Sequence, residues 1–279
     1  MVDCHIHMVL DGKYWKDAIA SHAGGVNLPF VKKTIAEYAR LGYTYLRDGG
    51  DRWGVGAAAR EEAAQYGITY RTPLAPLCME GHYGSFIGLT YGNLKEYTRL
   101  VRTQKKAGAD FIKIMISGLM DFDRFGVLTE EGLPEQTIRQ LVHIAHQEGM
   151  AVMAHGNGAR TVQAAAEAGL DSLEHGAYLD EECLSALAQQ KTVWVPTLST
   201  VANLKGKGRF DDVQTQKILE STQHNLKSFQ KMGGLIAPGS DAGAWQVPHG
   251  CETEWDHLRN SGITEECLQA GAKKIQDVF

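Results

Sequence analysis

No stretch of this sequence approaches the ~18 consecutive apolar residues that a membrane-spanning helix needs, so a membrane is not an expected partner. Cysteine is scarce and odd in number: Cys4, Cys78, Cys183, Cys251 and Cys267, with no CxxC spacing. That pattern argues against a disulfide framework or a zinc knuckle and suits reduced thiols in a cytoplasm. Positive charge is short as well. With 28 Lys and Arg against 33 Asp and Glu the formal net charge is −5. No basic stripe is present to neutralise phosphates, which excludes nucleic acid as the main partner. The most basic run, Lys205-Gly-Lys-Gly-Arg209, reads as a solvated loop. No basic segment precedes the first candidate functional residue, His5, so a secretory leader is not expected and a cytoplasmic location is. Low-complexity segments, internal repeats and interdomain linkers are absent too.

What is present is a regular alternation of strand-like and helix-like segments. Strands are predicted over 2–8, 43–47, 68–77, 111–116, 150–154, 171–173, 192–196 and 235–238. Helices are predicted over 29–41, 56–66, 95–107, 134–148, 159–168, 180–190 and 212–232, several of them ending at a glycine such as Gly108 or Gly149. Phe111-Ile-Lys-Ile-Met-Ile116 is almost continuously apolar, as a strand covered on both faces must be. Strands each followed by a helix predict a (β/α)₈ TIM barrel, which typically needs about 250 residues. The chain has 279, of which 43% are hydrophobic, enough for one domain over 1–279. An open doubly wound sheet would need a glycine-rich phosphate turn after the first strand, and there is none.

Six residues near the C-terminal ends of these strands carry chemistry: His5, His7, Lys113, His155, His175 and Asp241. His5 and His7 are two apart, so in a strand both imidazoles face one side and can reach one metal ion. Cys4, between Asp3 and His5, should then point away from both histidines, as a small packing residue. A pair of surface or hydrogen-bonded histidines would read the same. Lys113 lies in the middle of an apolar run, where an ammonium is costly unless paired or deprotonated. It either reaches a carboxylate such as Asp110 or Glu174, or is a neutral amine that has taken up carbon dioxide as a carbamate bridging two metals. His155 and His175 each end a strand and are followed by Gly156 and Gly176, as expected of ligands at the active face of a barrel, or of loop histidines satisfied by hydrogen bonds. Asp241, before Ala242-Gly243, could bind a metal and take a proton from water, or be a turn aspartate.

Taken together, the order HxH, Lys, His, His, Asp on strands one, four, five, six and eight resembles the amidohydrolase superfamily. The wording is similar to its imidazolonepropionase-like and prolidase-like branch in Asp3-Cys-His-Ile-His7, Leu46-Arg-Asp-Gly-Gly50, Gly108-Ala-Asp-Phe-Ile-Lys-Ile114, Ala154-His155-Gly156, Ser172-Leu-Glu-His-Gly-Ala-Tyr-Leu-Asp180 and Pro238-Gly-Ser-Asp-Ala-Gly243. The resemblance implies a binuclear centre. His5, His7 and Asp241 would hold one ion, His155 and His175 the other, and a carboxylated Lys113 would bridge them. Two divalent ions are implied, zinc first, with manganese, iron or cobalt also suited to such ligands. They would generate a hydroxide near neutral pH, with Asp241 as the proton carrier. The loop after strand three and the tyrosine after the strand-six histidine touch substrate in relatives, which implies His82 and Tyr178 here. Arg47, Arg124 and His249 are further residues that could face the site, although arginines more often brace loops.

The implied activity is a metal-dependent hydrolase cleaving a C–N bond in an amide, peptide-like or cyclic amide small molecule. A lactone or ester hydrolase on the same centre, a mononuclear variant with uncarboxylated Lys113, and a non-catalytic metal- or ligand-binding barrel remain alternatives. Only four residues precede His5 and the chain stops soon after the last expected helix. The accessory β-sandwich of most relatives is therefore expected to be missing, with self-association as one way to cover the exposed barrel face.

Overall fold

Strands that are apolar on both faces fold only where something covers both, and here helices cover one face and the facing strands the other. A computed structural model describes residues 1–279. In chain order the elements are β1 (Val2–Ile6), α1 (Trp15–Ala20), α2 (Leu28–Arg40), β2 (Tyr45–Asp48), α3 (Val55–Ala64), β3 (Thr69–Arg71), β4 (Leu77–Met79), β5 (Leu89–Tyr91), α4 (Leu94–Lys106), β6 (Ile112–Met115), α5 (Glu135–Gln147), β7 (Val152–Gly156), α6 (Ala159–Glu167), β8 (Ser172–His175), α7 (Glu181–Gln190), β9 (Val193–Val195), α8 (Ser199–Ala202), α9 (Asp212–Lys231), β10 (Leu235–Ile236), α10 (Thr253–Asn260) and α11 (Glu265–Val278). Helix starts follow ordinary capping chemistry: the side chains of Asn93, Asp180, Asp211 and Thr264 accept backbone N–H groups at the starts of α4, α7, α9 and α11. Pro134 caps α5 from outside rather than occupying its first turn. No helix is long and apolar enough to cross a membrane.

All strand pairings are parallel, in a seven-stranded sheet of order β10-β9-β8-β7-β6-β4-β5 and a three-stranded sheet β1-β2-β3. The ladder is thus not the closed ring expected of a (β/α)₈ barrel, and the two breaks have local causes. The predicted third strand, 68–77, is split into β3 and β4 because Pro73 and Pro76 lie between them and have no N–H to donate. β3 pairs with β2 while β4 pairs with β6. At the other seam, β10 is only two residues long, and single hydrogen bonds carry the connection to β1: Cys4 N to Pro238 O, 2.9 Å; Asp241 N to His5 O, 2.7 Å; His7 N to Ala242 O, 2.7 Å.

The interior between the strands is layered. Tyr45, Phe111, Met153, Val193, Val195 and Ala237 form an apolar base, closed by Ile275 and Phe279 at the end of α11. Cys4 packs in this same layer, which corrects the expectation that it points away from the histidines' side. The β1–β2 register shifts between Asp3 and Ile6, and this irregularity breaks strict alternation in β1. One step nearer the strand C-termini the interior becomes polar, with Arg47, Lys113, His155 and Glu174 buried there.

Two predictions follow from this packing. Phe279 is 7% exposed, stands edge-on to Phe111 at 5.1 Å and lies under the Arg47 guanidinium at 4.5 Å. Phe279→Ala is expected to lower unfolding free energy by about 3 kcal/mol in a denaturant titration; a loss below about 0.5 kcal/mol would mean that the base is not plugged by this ring. Buried Glu254 on α10 accepts the N–H groups of Leu198 (3.0 Å) and Ser199 (2.7 Å), and burial pushes its carboxyl up to about 7. A raised carboxyl favours the folded state while protonated, and that contribution is lost as pH climbs from the unfolded value through the folded one. The stability of Glu254→Gln relative to wild type should therefore shift in the variant's favour by roughly 2–3 kcal/mol between pH 4.5 and 7.5. A pH-independent difference would contradict it.

Candidate metal centre

β1 presents His5 and His7 toward the strand C-termini, and the turn after β10 brings Asp241 against them. His5 Nε2 and His7 Nε2 are 3.3 Å apart, and Asp241 Oδ1 lies 3.6 Å from the first and 3.4 Å from the second. Donors held around one cation at ~2.1 Å in a tetrahedral arrangement are separated by roughly 3.4 Å, so this triangle has the size a cation requires. Asp241 Oδ1 is buried with no hydrogen-bond partner, an expensive state for a carboxylate unless a cation or proton meets it. Burial pushes its carboxyl up to about 8, with the charge of Lys113 acting the other way.

The other imidazoles complete the group. One nitrogen of His5, one of His175 and an Asp241 oxygen lie within 4.8 Å of one another. The His175 ring is 5.3 Å from that of His5 and 4.5 Å from that of His155. His155 Nε2 faces the Gly118 carbonyl at 3.2 Å. A carbonyl only accepts, so Nε2 carries the proton and Nδ1 keeps the free lone pair. Burial holds His7 and His155 down to about 3, and His5 and His175 well below the usual histidine range; Lys113 contributes in the same direction at all four. Each ring is thus neutral near pH 7, the state in which imidazole coordinates a metal.

Lys113 is 1% exposed, and its Nζ has no hydrogen-bond partner. The two carboxylates that could have paired with it are engaged elsewhere: Asp110 by Arg60 and Arg71, each at 3.1 Å, and Glu174 by Arg47 and His5. Burial lowers its ammonium to about 8, so a free amine is accessible near neutrality.

Several residues hold this group in place; Glu174 and Arg47 do so in roles other than those read from the sequence, and Thr197, Asp3, Ser240 and Gly49 carried no sequence signal of their own. Glu174 accepts the Nδ1–H of His5 at 2.6 Å, which fixes the tautomer and leaves Nε2 free. Its other oxygen accepts from Arg47 Nη2 (2.9 Å) and Ser172 Oγ, and Arg47 Nε donates to the Cys4 carbonyl at 2.7 Å. Arg47 therefore braces β1 from within. Thr197 Oγ1 hydrogen-bonds His175 Nδ1 at 2.7 Å. Asp3 accepts the N–H and hydroxyl of Ser240 at 2.9 and 2.6 Å, tying β1 to the turn that carries Asp241. Gly49 is required where it stands, because a Cβ there would lie 2.3 Å from His7 Cε1. His175, Thr197 and Asp241 all have left-handed backbones, with φ of 70°, 50° and 58°. Such strain in non-glycine residues costs on the order of 1–3 kcal/mol each and collects at functional sites.

Of the outer residues named from the sequence, Tyr178 follows β8 and packs against Phe125 at 5.5 Å. His82 lies on the loop after β4 with Nδ1 3.3 Å from Glu130 Oε1. Arg124 pairs with Asp121 at the surface. His249 is held by the Leu10 carbonyl (2.8 Å) and the Tyr38 hydroxyl (3.0 Å), a bracing role.

Glu174→Gln keeps the shape at β8 but replaces the charge-assisted acceptor of His5. Metal affinity, measured by competition with a chelator, is expected to fall about 10–100-fold. Glu174→Ala should in addition lose about 3–5 kcal/mol of stability, because Arg47 is then buried with its charge unmatched. Wild-type affinity in the Gln variant would show that His5 needs no carboxylate.

No protein-family model matches the chain. In sequence it is similar to ochratoxinase of Aspergillus niger, 26% identical over 282 residues that span 86% of this chain and 56% of the relative. The chain thus spans a little over half the length of the curated relatives it matches. In fold it is similar to a Xaa-Pro dipeptidase with methionine bound in its active site (TM-score 0.78, 20% identity, 99% of this chain and 75% of that one). A prolidase complexed with N-methylphosphonate-L-proline is as similar (TM-score 0.79, 21% identity, 99% and 73%), and so is A. niger ochratoxinase (TM-score 0.78, 22% identity, 99% and 70%). Its structural neighbours are members of the amidohydrolase superfamily, prolidases among them, the branch that the strand-end motifs of this chain resemble.

Proposed function

We propose that this chain is the metal-dependent barrel of a hydrolase that cleaves a C–N bond in an amide, peptide-like or cyclic amide substrate. The observation that carries the reading is the triangle of His5 Nε2, His7 Nε2 and Asp241 Oδ1, with edges of 3.3, 3.4 and 3.6 Å, beside a buried Lys113 amine that has no partner. The similarity to prolidases, an amidohydrolase and ochratoxinase supports the reaction class. The breaks in the ladder at β3/β4 and β10/β1 are local, and we read the architecture as a (β/α)₈ barrel.

In this reading His5, His7 and Asp241 would hold one divalent ion and His155 and His175 a second. Lys113 would add a ligand as a carbamate: its ammonium gives up one proton, the neutral Nζ lone pair bonds the carbon of carbon dioxide, a second proton leaves, and an anionic oxygen donor replaces a buried cation. Zinc fits the nitrogen and carboxylate donors, as do manganese, iron and cobalt. When bound, such ions polarise a carbonyl and lower the pKa of water. Asp241 receives the proton of the attacking water and delivers it to the departing nitrogen. Glu174 and Thr197 keep the His5 and His175 rings from turning, and the apolar base beneath keeps bulk water out from below. His82 and Tyr178 stand on loops at the mouth, where they meet substrate. A cytoplasmic setting suits the five cysteines, none of which is in a disulfide.

Protein purified without chelator is expected to carry one to two divalent ions per chain by elemental analysis. The metal-loaded protein should hydrolyse members of a panel of N-acyl amino acids, dipeptides and cyclic amides in preference to matched lactones. Asp241→Asn should retain much of the metal while kcat falls roughly 10³-fold. Metal content well below one ion, or an unchanged kcat in that variant, would remove the basis for the proposal.

A further inference from the structure

The loop after β4 contributes a second side chain that nothing in the sequence singled out. Tyr83 lies against His155, ring centroids 4.7 Å apart and planes 37° apart. On its other side it meets Phe86 at 5.7 Å, and Phe86 in turn meets Trp15 at 5.3 Å, so the ring is held in a stack that runs outward from the centre. Its backbone is pinned as well: the Tyr83 N–H donates to Glu130 Oε1 at 2.9 Å, the same oxygen that His82 Nδ1 approaches at 3.3 Å. Glu130 thus draws the His82 ring aside, where it is about a third exposed, and leaves Tyr83 as the loop residue that touches the histidine cluster. Gly84 makes the turn behind it, with φ of +105° and room for no Cβ, since one would lie 2.6 Å from Met115 Cγ.

We propose that Tyr83 is a catalytic residue whose hydroxyl donates a hydrogen bond to the substrate carbonyl oxygen as that oxygen becomes negative. The assignment rests on the hydrolase reading above. The hydrogen bond that Tyr83 makes is through its backbone N–H to Glu130, which leaves the hydroxyl free of protein partners. The step balances without Tyr83 losing its proton. Water oxygen bonds the carbonyl carbon, the C=O pair moves onto oxygen and is met by the Tyr83 O–H, and the water proton passes to Asp241. Collapse reforms C=O, breaks C–N and sends that proton to nitrogen, giving a carboxylic acid and an amine. A donor placed where charge develops acts on the transition state more than on the bound substrate.

The test compares wild type with Tyr83→Phe, a change that removes one oxygen and keeps the stack. Metal content and Tm should be unchanged, kcat should fall about 10²-fold and KM should stay within about twofold. Tyr83→His, which keeps a ring N–H donor, should recover part of the loss. Independently of turnover, Tyr83→Phe should weaken binding of an N-methylphosphonyl amino acid, a tetrahedral mimic, by a factor similar to the loss in kcat/KM, while binding of the free amino acid is unchanged. Turnover of the panel by wild type decides the reaction class, and the phosphonate Kd ratio decides the role of Tyr83 whether or not a good substrate has been found. Equal phosphonate affinity in the two proteins, or binding by neither, overturns the assignment. So does a loss confined to KM.

Discussion

Glu174 sits fully buried at the centre of the molecule, and its two oxygens govern what surrounds them. One takes the Nδ1–H of His5 and the other takes Arg47 and Ser172. A carboxylate in a dry interior is tolerable only when matched by charge and hydrogen bonds, and Arg47 supplies both while also binding the Cys4 carbonyl. The pairing therefore couples β1, β2 and β8, fixes one tautomer of His5 and points its free lone pair at His7 and Asp241. Removing Glu174 would disorganise three strands and the centre together. The same arrangement leaves Lys113 without a hydrogen-bond partner, because Glu174 and Asp110 are taken by Arg47, Arg60, Arg71 and His5.

Below that level the interior is apolar and above it polar, and the division gives each half a separate task. The base of Phe111, Met153, Val195 and Phe279 supplies burial and cohesion. The upper half accumulates costs: unpartnered polar atoms on Lys113, Asp241 and His7, and left-handed backbones at His175, Thr197 and Asp241. Folded proteins tolerate such concentrations of strain and unmatched polarity chiefly where function needs them. That they coincide here with the strand C-termini, the face at which active sites form in the barrel architecture we propose, is the link between architecture and proposed chemistry.

Much of this was legible in advance, for physical reasons that differ by residue. Strand runs such as 111–116 and 150–154 follow from local apolar pattern, and β6 and β7 form there. Side chains two apart on a strand share a face, which made His5 and His7 readable as a pair. Tyr83 and His82 adjoin in sequence, yet which of them turns inward depends on Glu130, 47 residues on from Tyr83. Cys4 faces inward because of a break in register inside β1 that alternation does not encode, and the third strand stops at two prolines whose missing donors end it.

What the sequence by itself determined was the kind and order of the groups: two histidines on one strand face, a lysine inside an apolar run, two further histidines and an aspartate each at a strand end. Local periodicity and residue chemistry are enough for that. Only the tertiary structure decided which nitrogen of each histidine is free, that Lys113 Nζ has no hydrogen-bond partner, and that Arg47 and Glu174 serve as supports. Those outcomes depend on partners far along the chain, 169 residues for His5 and Glu174 and 125 for Arg47 and Ser172, and no local pattern encodes a contact across such a separation.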